Sequence, residues 1–501
     1  MSSGPGGYDC DVLIAGLGPT GIALALLLTR AGVSVIAAER TTDVYPLPRA
    51  AHLDHEIMRL FQQLHVLDGI RISTRIAPPY EFRAADGSVL LRFDPDASGS
   101  LSGWSTGYMI HQPGIERALR AALAPDDLAD VRLGHTLKAL AQDADGVVAE
   151  LSGPFGRSTV RARYLVGCDG ASSNVRQLIG AEIDDYGFDE PWLVIDVLAP
   201  DPDAVPKVNL QICDPRRPTT CVLMSAGRHR WEFMMLPGET PELVLEDGFI
   251  AALLAPWGAA GLTVDRKAVY RFHALVARPW RERRVLLAGD AAHQIPPFAG
   301  QGMCSGFRDA ANLAWKLEAV LKQGVTGDLL DTYQSEREPH VRAYIDFAIG
   351  MGRVVCTLDK KTAARRDTAM LAARAQGGSM LPPIRSPVLG AGCLLARSAG
   401  AGELFPQPWA GTAEAVVRLD DVLGRGAWLI GAADREPPPD LPVNVTAVAL
   451  DTPLVGPFRA ALEAWLATRG AEAVLVRPDR YVFGTGTPDA LLGAYRAALA
   501  A

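Results

Sequence analysis

Residues 9–21 read Asp9-Cys10-Asp11-Val12-Leu13-Ile14-Ala15-Gly16-Leu17-Gly18-Pro19-Thr20-Gly21. Residues 9–16 predict a short buried strand ending in glycine. The Ala/Leu-rich run 20–31 predicts a helix, and Val33–Ala38 a second buried strand. Strand, glycine turn, helix and strand in so short a span make a βαβ unit, which requires a parallel sheet. Gly16 and Gly18 allow a tight turn and the close approach of a pyrophosphate, and Gly21 lets helix and strand pack. The helix start offers free N–H groups and the positive end of a dipole. Glu39 ends the second strand, where its carboxylate can accept hydrogen bonds from a ribose diol. The pattern points to a dinucleotide site, with Pro19, Thr20, Glu39 and Arg40 among its candidate contacts.

Further along, Tyr164–Cys168, Trp192–Val197 and Val285–Ala288 are strand-like. Two of these runs lead into motifs of their own. Cys168-Asp169-Gly170-Ala171-Ser172-Ser173-Asn174-Val175-Arg176 follows the first, and Gly289-Asp290-Ala291-Ala292-His293-Gln294-Ile295-Pro296-Pro297 follows the last. Alternation around Val208–Cys213, Thr220–Met224 and Trp231–Leu236 predicts a separate antiparallel sheet with one exposed face. A helix is expected from Gly302 towards Lys322 and another over Tyr333–Gly350. Residues 376–411, rich in Gly, Pro and Ser, read as a connector. Beyond it, strands at Ala427–Gly431, Val445–Leu450 and Ala473–Val476 and a helix near 456–469 predict a small α/β C-terminal domain.

Taken in order, the three motifs resemble the fingerprints of the class A FAD-dependent aromatic monooxygenases, the para-hydroxybenzoate hydroxylase family. The resemblance covers roughly residues 9–345. Residues 211–240 and Val476-Arg477-Pro478-Asp479-Arg480 are similar to 3-(3-hydroxyphenyl)propanoate hydroxylases. It implies a GR2-type FAD domain with a parallel sheet, a mostly antiparallel substrate sheet and a thioredoxin-like C-terminal domain. The implied division gives 1–76, 104–184 and 279–375 to the FAD domain and its helices. Residues 77–103 and 185–278 go to the substrate domain, 376–411 to the connector and 412–501 to the C-terminal domain.

The same resemblance implies site residues. Gly16, Gly18, Thr20 and Gly21 would hold the FAD pyrophosphate, with Glu39 on the adenosine ribose. Arg49, in Pro48-Arg49-Ala50, would reach the phosphates, and Gln112 would contact the flavin side. Asp169 sits in the motif tied to FAD and nicotinamide. Gly289 and Asp290 would meet the ribityl chain, and Pro297 the reactive flavin face. Gly300, Gln301, Gly302, Met303 and Cys304 would bring backbone N–H groups to the N1/O2 edge, where a helix start favours negative charge. Many members carry asparagine where this chain has Cys304, so the contact there is expected from the main chain. The implied reaction takes hydride from NADH or NADPH, adds O2 to give a C4a-hydroperoxyflavin, and hydroxylates a phenolic ring. A different flavin oxidation (Baeyer–Villiger or epoxidation) and a non-catalytic flavin-binding protein are the alternatives.

His52 and His293 are candidate bases, each weighed against a packing role. His229, Trp231, Phe233, Met235 and Tyr186 are candidates for lining a substrate pocket, against burial in a sheet core. Cys304 reads as a small structural residue more readily than as a reactive thiol.

Composition sets the outer bounds. The 501 residues carry a net charge of −8, which argues against a nucleic-acid partner. Seven scattered cysteines contain no CxxC pair, so neither a zinc knuckle nor dithiol chemistry is indicated, and no metal is expected. The apolar run Ile22–Leu28 is too short to span a membrane, and no basic region precedes it. A cytoplasmic protein acting on a small aromatic molecule and O2 is expected, with a homodimer one possible use of the C-terminal domain.

Overall fold

The computed structural model describes residues 7–47, 49–95, 100–378, 380, 386–412, 415–431, 441–442 and 444–500. Pro48 and part of the expected connector lie outside the described residues.

The quoted stretch forms the strand Cys10–Ala15 and the helix Pro19–Arg30. That strand pairs in parallel with Val35–Glu39 on one side and Gly156–Gly167 on the other. Ala129–Leu133 and Val285–Leu287 extend the parallel sheet outwards. Its central strands are nearly all apolar and buried along almost their whole length. Three distant parts of the chain thereby meet in one sheet, and each brings its motif to the same end of the strands.

A second, eight-stranded sheet runs His293–Gln294, Thr263–Arg278, Glu182–Leu198, Arg228–Met234, Thr219–Leu223, Asn209–Ile212, Tyr80–Arg83 and Val89–Phe93. Every neighbouring pair is antiparallel except Asn209–Ile212 with Tyr80–Arg83. The expected exposed face is a correction, since Arg228–Met234 is buried from His229 onwards. One face packs Trp231 and Phe233 against Val244, Ile250 and Leu254 of the following helices. The other carries Arg230 and Glu232 and closes over an internal cavity. Polar alternation normally signals water; here it signals a polar interior surface.

The helices expected after Gly302 and Tyr333 run Gly302–Lys322 and Thr332–Val355. The C-terminal sheet has the order Val445–Ala449, Ala427–Gly431, Ala473–Val476, Val482–Gly486, with Arg459–Ala467 and Pro488–Ala500 as its helices. This mixed sheet fits the thioredoxin-like expectation. Its last strand and last helix went unrecognised in the sequence, although Tyr481-Val482-Phe483 and Pro488 mark them.

Buried ion pairs tie this domain to the rest. Asp420 receives Arg59 at 2.6 Å and Arg480 at 3.0 Å, and Glu336 receives Lys316 at 2.8 Å and Arg477 at 2.9 Å. Among the described residues no helix is long and apolar enough to cross a membrane.

Candidate active site

The glycine loop is shaped by contacts that exclude side chains. Gly16 has φ +97°, and a Cβ there would collide with the Cys168 carbonyl; one on Gly21 would collide with the Gly16 carbonyl. Gly18 differs, because a Cβ on it would meet nothing within 4 Å. Its smallness leaves open space in front of a helix that starts with no side-chain cap and no acidic residue in its first turn. Free N–H groups facing open space suit a diphosphate. Glu39 stands beside them, accepting from the Leu17 amide at 2.8 Å and the Thr41 amide at 3.0 Å. Arg40 is exposed next to it.

The three motifs meet through their backbones. Gly16 packs on Cys168, joining the first motif to the second. A Cβ on Gly289 would lie 2.5 Å from Thr20 Oγ1, and one on Gly306 would collide with the same oxygen. Thr20 is thus wedged between the third motif and the helix Gly302–Lys322.

Asp169 accepts from the Ser173 hydroxyl and from the amides of Asn174 at 2.8 Å and Val175 at 3.0 Å. Its carboxylate holds its own turn, and Ala171 is the residue of that motif that lines the cavity. His293 is buried, 2.6 Å from Asp309, which also accepts from the Gly289 amide at 3.0 Å and Arg337 at 2.9 Å. It packs on Trp280 and does not line the cavity. The structure places it as a clamp on the third motif, outside the cavity lining.

Between the two large sheets lies a cavity of about 600 Å³. On the FAD-domain side it is walled by Arg49, His52, Asp290, Pro297 and Gly300–Met303. Asp290 opens onto the cavity while protein surrounds it elsewhere; that burial raises its pKa, and Arg49 opposes the rise. Its carboxylate makes no side-chain hydrogen bond among the described residues, which leaves it as an acceptor for ligand hydroxyls. Gln112 does not line the cavity. Its Oε1 accepts from the amides of Arg49 at 3.0 Å and Ala50 at 2.7 Å, so it shapes the segment that carries Arg49.

Gly300 takes φ +63°, where a Cβ would press on His52 Nδ1 at 2.9 Å. The helix that follows has no side-chain cap and no acidic residue in its first turn. Such a start favours an anionic ring edge. Cys304 is fully buried, and desolvation raises its thiol well above the usual value, with Asp54 adding to the effect. It is a neutral packing residue.

His52 Nδ1 lies 3.3 Å from the Gly300 carbonyl oxygen. A carbonyl only accepts, so Nδ1 carries the proton in that contact and Nε2 keeps its lone pair. Burial lowers the His52 pKa, and the ring is neutral at neutral pH.

The facing wall is made by Val194, Gln211, Thr220, Arg230, Glu232 and Tyr270. Arg230 and Arg266 both reach Asp196, at 2.6 and 3.3 Å. Desolvation raises the Glu232 pKa, with Arg230 opposing. His229, Trp231, Phe233 and Met235 do not line this cavity. They sit on the other side of the sheet, with Trp231, Phe233 and Met235 inside its second core. Tyr186 also lies elsewhere, its hydroxyl accepting from Arg342 at 2.6 Å. The signal for this wall was present: Arg230 and Glu232 alternate with Trp231 and Phe233, and strand parity puts the two pairs on opposite faces.

A loop shaped for a diphosphate, an unpartnered carboxylate over a cavity and two uncapped helix starts together fit FAD. The match to the family model described as FAD binding domain spans residues 9–348. The chain belongs to that family, the class A flavoprotein monooxygenases. A second model, described as HcaD C-terminal domain, matches residues 443–501 of this flavoprotein. It is 39% identical to a probable NADH-specific resorcinol 4-hydroxylase of Rhodococcus jostii, over 96% of this chain and 93% of that protein. It is 36% identical to a 3-(3-hydroxy-phenyl)propionate/3-hydroxycinnamic acid hydroxylase of Mycolicibacterium smegmatis, over 95% of this chain and 90% of that protein. The flavin-dependent monooxygenase PieE, solved with FAD and substrate, superimposes with a TM-score of 0.81 at 23% identity, over 98% and 99% of the two chains. At that identity the superposition speaks for the fold.

Proposed function

We propose that this flavoprotein hydroxylates a small phenol, using FAD, NADH or NADPH, and O2. The observation that carries the reading is a single cavity with the FAD-facing groups on one wall and a part-polar, part-apolar sheet on the other. When bound, FAD supplies the redox chemistry: it takes hydride from the nicotinamide and activates O2.

The chain's own residues do the rest. Gly16, Gly18, Thr20 and Gly21 would hold the diphosphate, Glu39 the ribose, Arg49 the phosphates and Asp290 the ribityl hydroxyls. The N–H groups from Gly302 to Cys304 would favour negative charge on a flavin ring edge bound at this helix start. Phe298, Phe272 and Trp192 pack on one another beside the cavity and exclude water from its middle. His52 Nε2 takes the phenol proton, which pushes charge onto the ring carbons ortho and para to the oxygen. Pro297 lines the same cavity as His52 and would lie beside the bound ring.

The test is NADH and NADPH oxidation with resorcinol and with 3-hydroxyphenylpropanoate, followed by mass analysis. A catechol or triol formed in step with NAD(P)H loss supports the reading. Flavin bound without substrate-stimulated oxidation by any phenol points to a binding protein, and an inserted ring oxygen to a Baeyer–Villiger reaction. The proposal extends to the domain division given by the resemblance, to a cytoplasmic location and to a homodimer, for which light scattering is the check.

A further inference from the structure

A second cavity of about 480 Å³ lies between the FAD domain and the C-terminal domain. Its floor is the outer side of the helices Pro19–Arg30, His55–Gln63 and Gly302–Lys322, with Leu27, Leu60, Phe307, Ala311 and Trp315 as the apolar part. Its roof is Gly426, Ala427, Asn444 and Thr446, with Tyr495 and Leu499 of the last helix. Arg308, bonded to both Asp54 and Glu56, lies between this cavity and the one described above.

The charges around it do not cancel. Arg59 and Arg480 share Asp420, which leaves one positive charge; Arg308 faces Asp54 and Glu56, which leaves one negative. Arg425 stands 3.6 Å from Glu318, and Asp479 and Glu336 are matched by Arg477 and Lys316. The remainder is Arg30. Its Nη1 is buried without a hydrogen-bond partner among the described residues. Burial disfavours its charge, Arg425 adds to that, and Asp126 opposes. The Arg425 guanidinium donates to the Arg30 carbonyl, so both cations are held at one end of the cavity. The Arg30 side chain is half-buried with one nitrogen unbonded among the described residues, and an anion with an apolar body would meet Arg30, Arg425 and the helix floor together.

We infer that this interdomain cavity is a second binding site, which takes an amphipathic monoanion with its acid on Arg30 and Arg425 and its hydrocarbon on Leu27, Phe307 and Trp315. The site is distinct from the substrate cavity and serves a ligand that need not react.

The probe is 1-anilinonaphthalene-8-sulfonate, titrated by calorimetry into the FAD-loaded full chain. One site per chain is expected, with affinity falling as salt rises. Arg30→Met and, separately, Ala311→Leu, which fills the floor, should each weaken it about tenfold or more, the scale of one lost charge-assisted contact. FAD content and the visible flavin spectrum should stay unchanged in both variants, as neither residue touches the substrate cavity. Absence of binding overturns the inference. So does binding that both variants leave intact, or binding that shifts the flavin spectrum and so belongs to the other cavity.

Discussion

The Nδ1 of His52 lies 3.3 Å from the carbonyl oxygen of Gly300. That relationship ties a candidate base to the turn that opens the flavin-facing helix, and it leaves Nε2 unprotonated. The strand His52–Asp54 and the Gly300 turn are far apart in the chain, so only the fold joins them.

His52→Gln should therefore cut kcat by about 10²–10⁴-fold, the range of a positioned general base, while FAD content holds. The pH profile carries the sharper expectation. Burial lowers the His52 pKa below its ordinary value of 6.5. The neutral, active ring should persist as pH falls past 6.5 and be lost only when pH drops through that lowered value. The acid limb of kcat/KM should lie below 6.5 in the parent enzyme and vanish in the variant; an acid limb above 6.5 would count against His52.

Thr20 fills the notch between Gly289 and Gly306. Gly306→Ala should drive a methyl into Thr20 Oγ1, costing about 1–3 kcal/mol and loosening FAD. Adding Thr20→Ala should return most of the thermal stability. Equal losses in the single and double variants would mean that the clash is elsewhere.

The two faces of Arg228–Met234 make opposite predictions. Trp231→Ala, in the second core, should cost about 3–5 kcal/mol and lower Tm. Glu232→Ala, on the cavity wall, should raise KM for the phenol with a far smaller change in Tm. A swap of these two outcomes, read by calorimetry and steady-state kinetics, would reverse the assignment of the faces.

Asp420 bonds two buried arginines, and despite the burial that opposes it their charge brings its pKa down from 3.8 to about 2. A carboxyl with a depressed folded pKa contributes stability that is complete above its unfolded value and lost as pH falls through the folded one. The attachment of the C-terminal domain should thus weaken between about pH 4 and pH 2. Asp420→Asn should destabilise by about 3–5 kcal/mol at pH 7, because it leaves Arg59 and Arg480 facing each other. The two proteins should converge in Tm near pH 2, as followed by circular dichroism.

Much of the molecule was legible from local sequence. The βαβ unit, the long helices and three of the four C-terminal strands follow from apolar periodicity and glycine placement, which depend on neighbours along the chain. Gly16-Leu17-Gly18-Pro19-Thr20-Gly21 announces a diphosphate loop because Gly16 and Gly21 stand where a Cβ would strike backbone and Gly18 leaves space before the helix start. The tertiary structure decided which side of the second sheet faces a ligand. Alternation reports that a strand has two unlike faces, but not which one meets a cavity, and so the sequence leaves Trp231, Phe233 and Met235 between a pocket and a sheet core. It also decided that His293 and Asp169 hold turns. The partner of His293, Asp309, comes from the helix Gly302–Lys322, whereas Asp169 holds the turn of its own motif, and a side chain's role depends on what stands within about 3 Å of it in space.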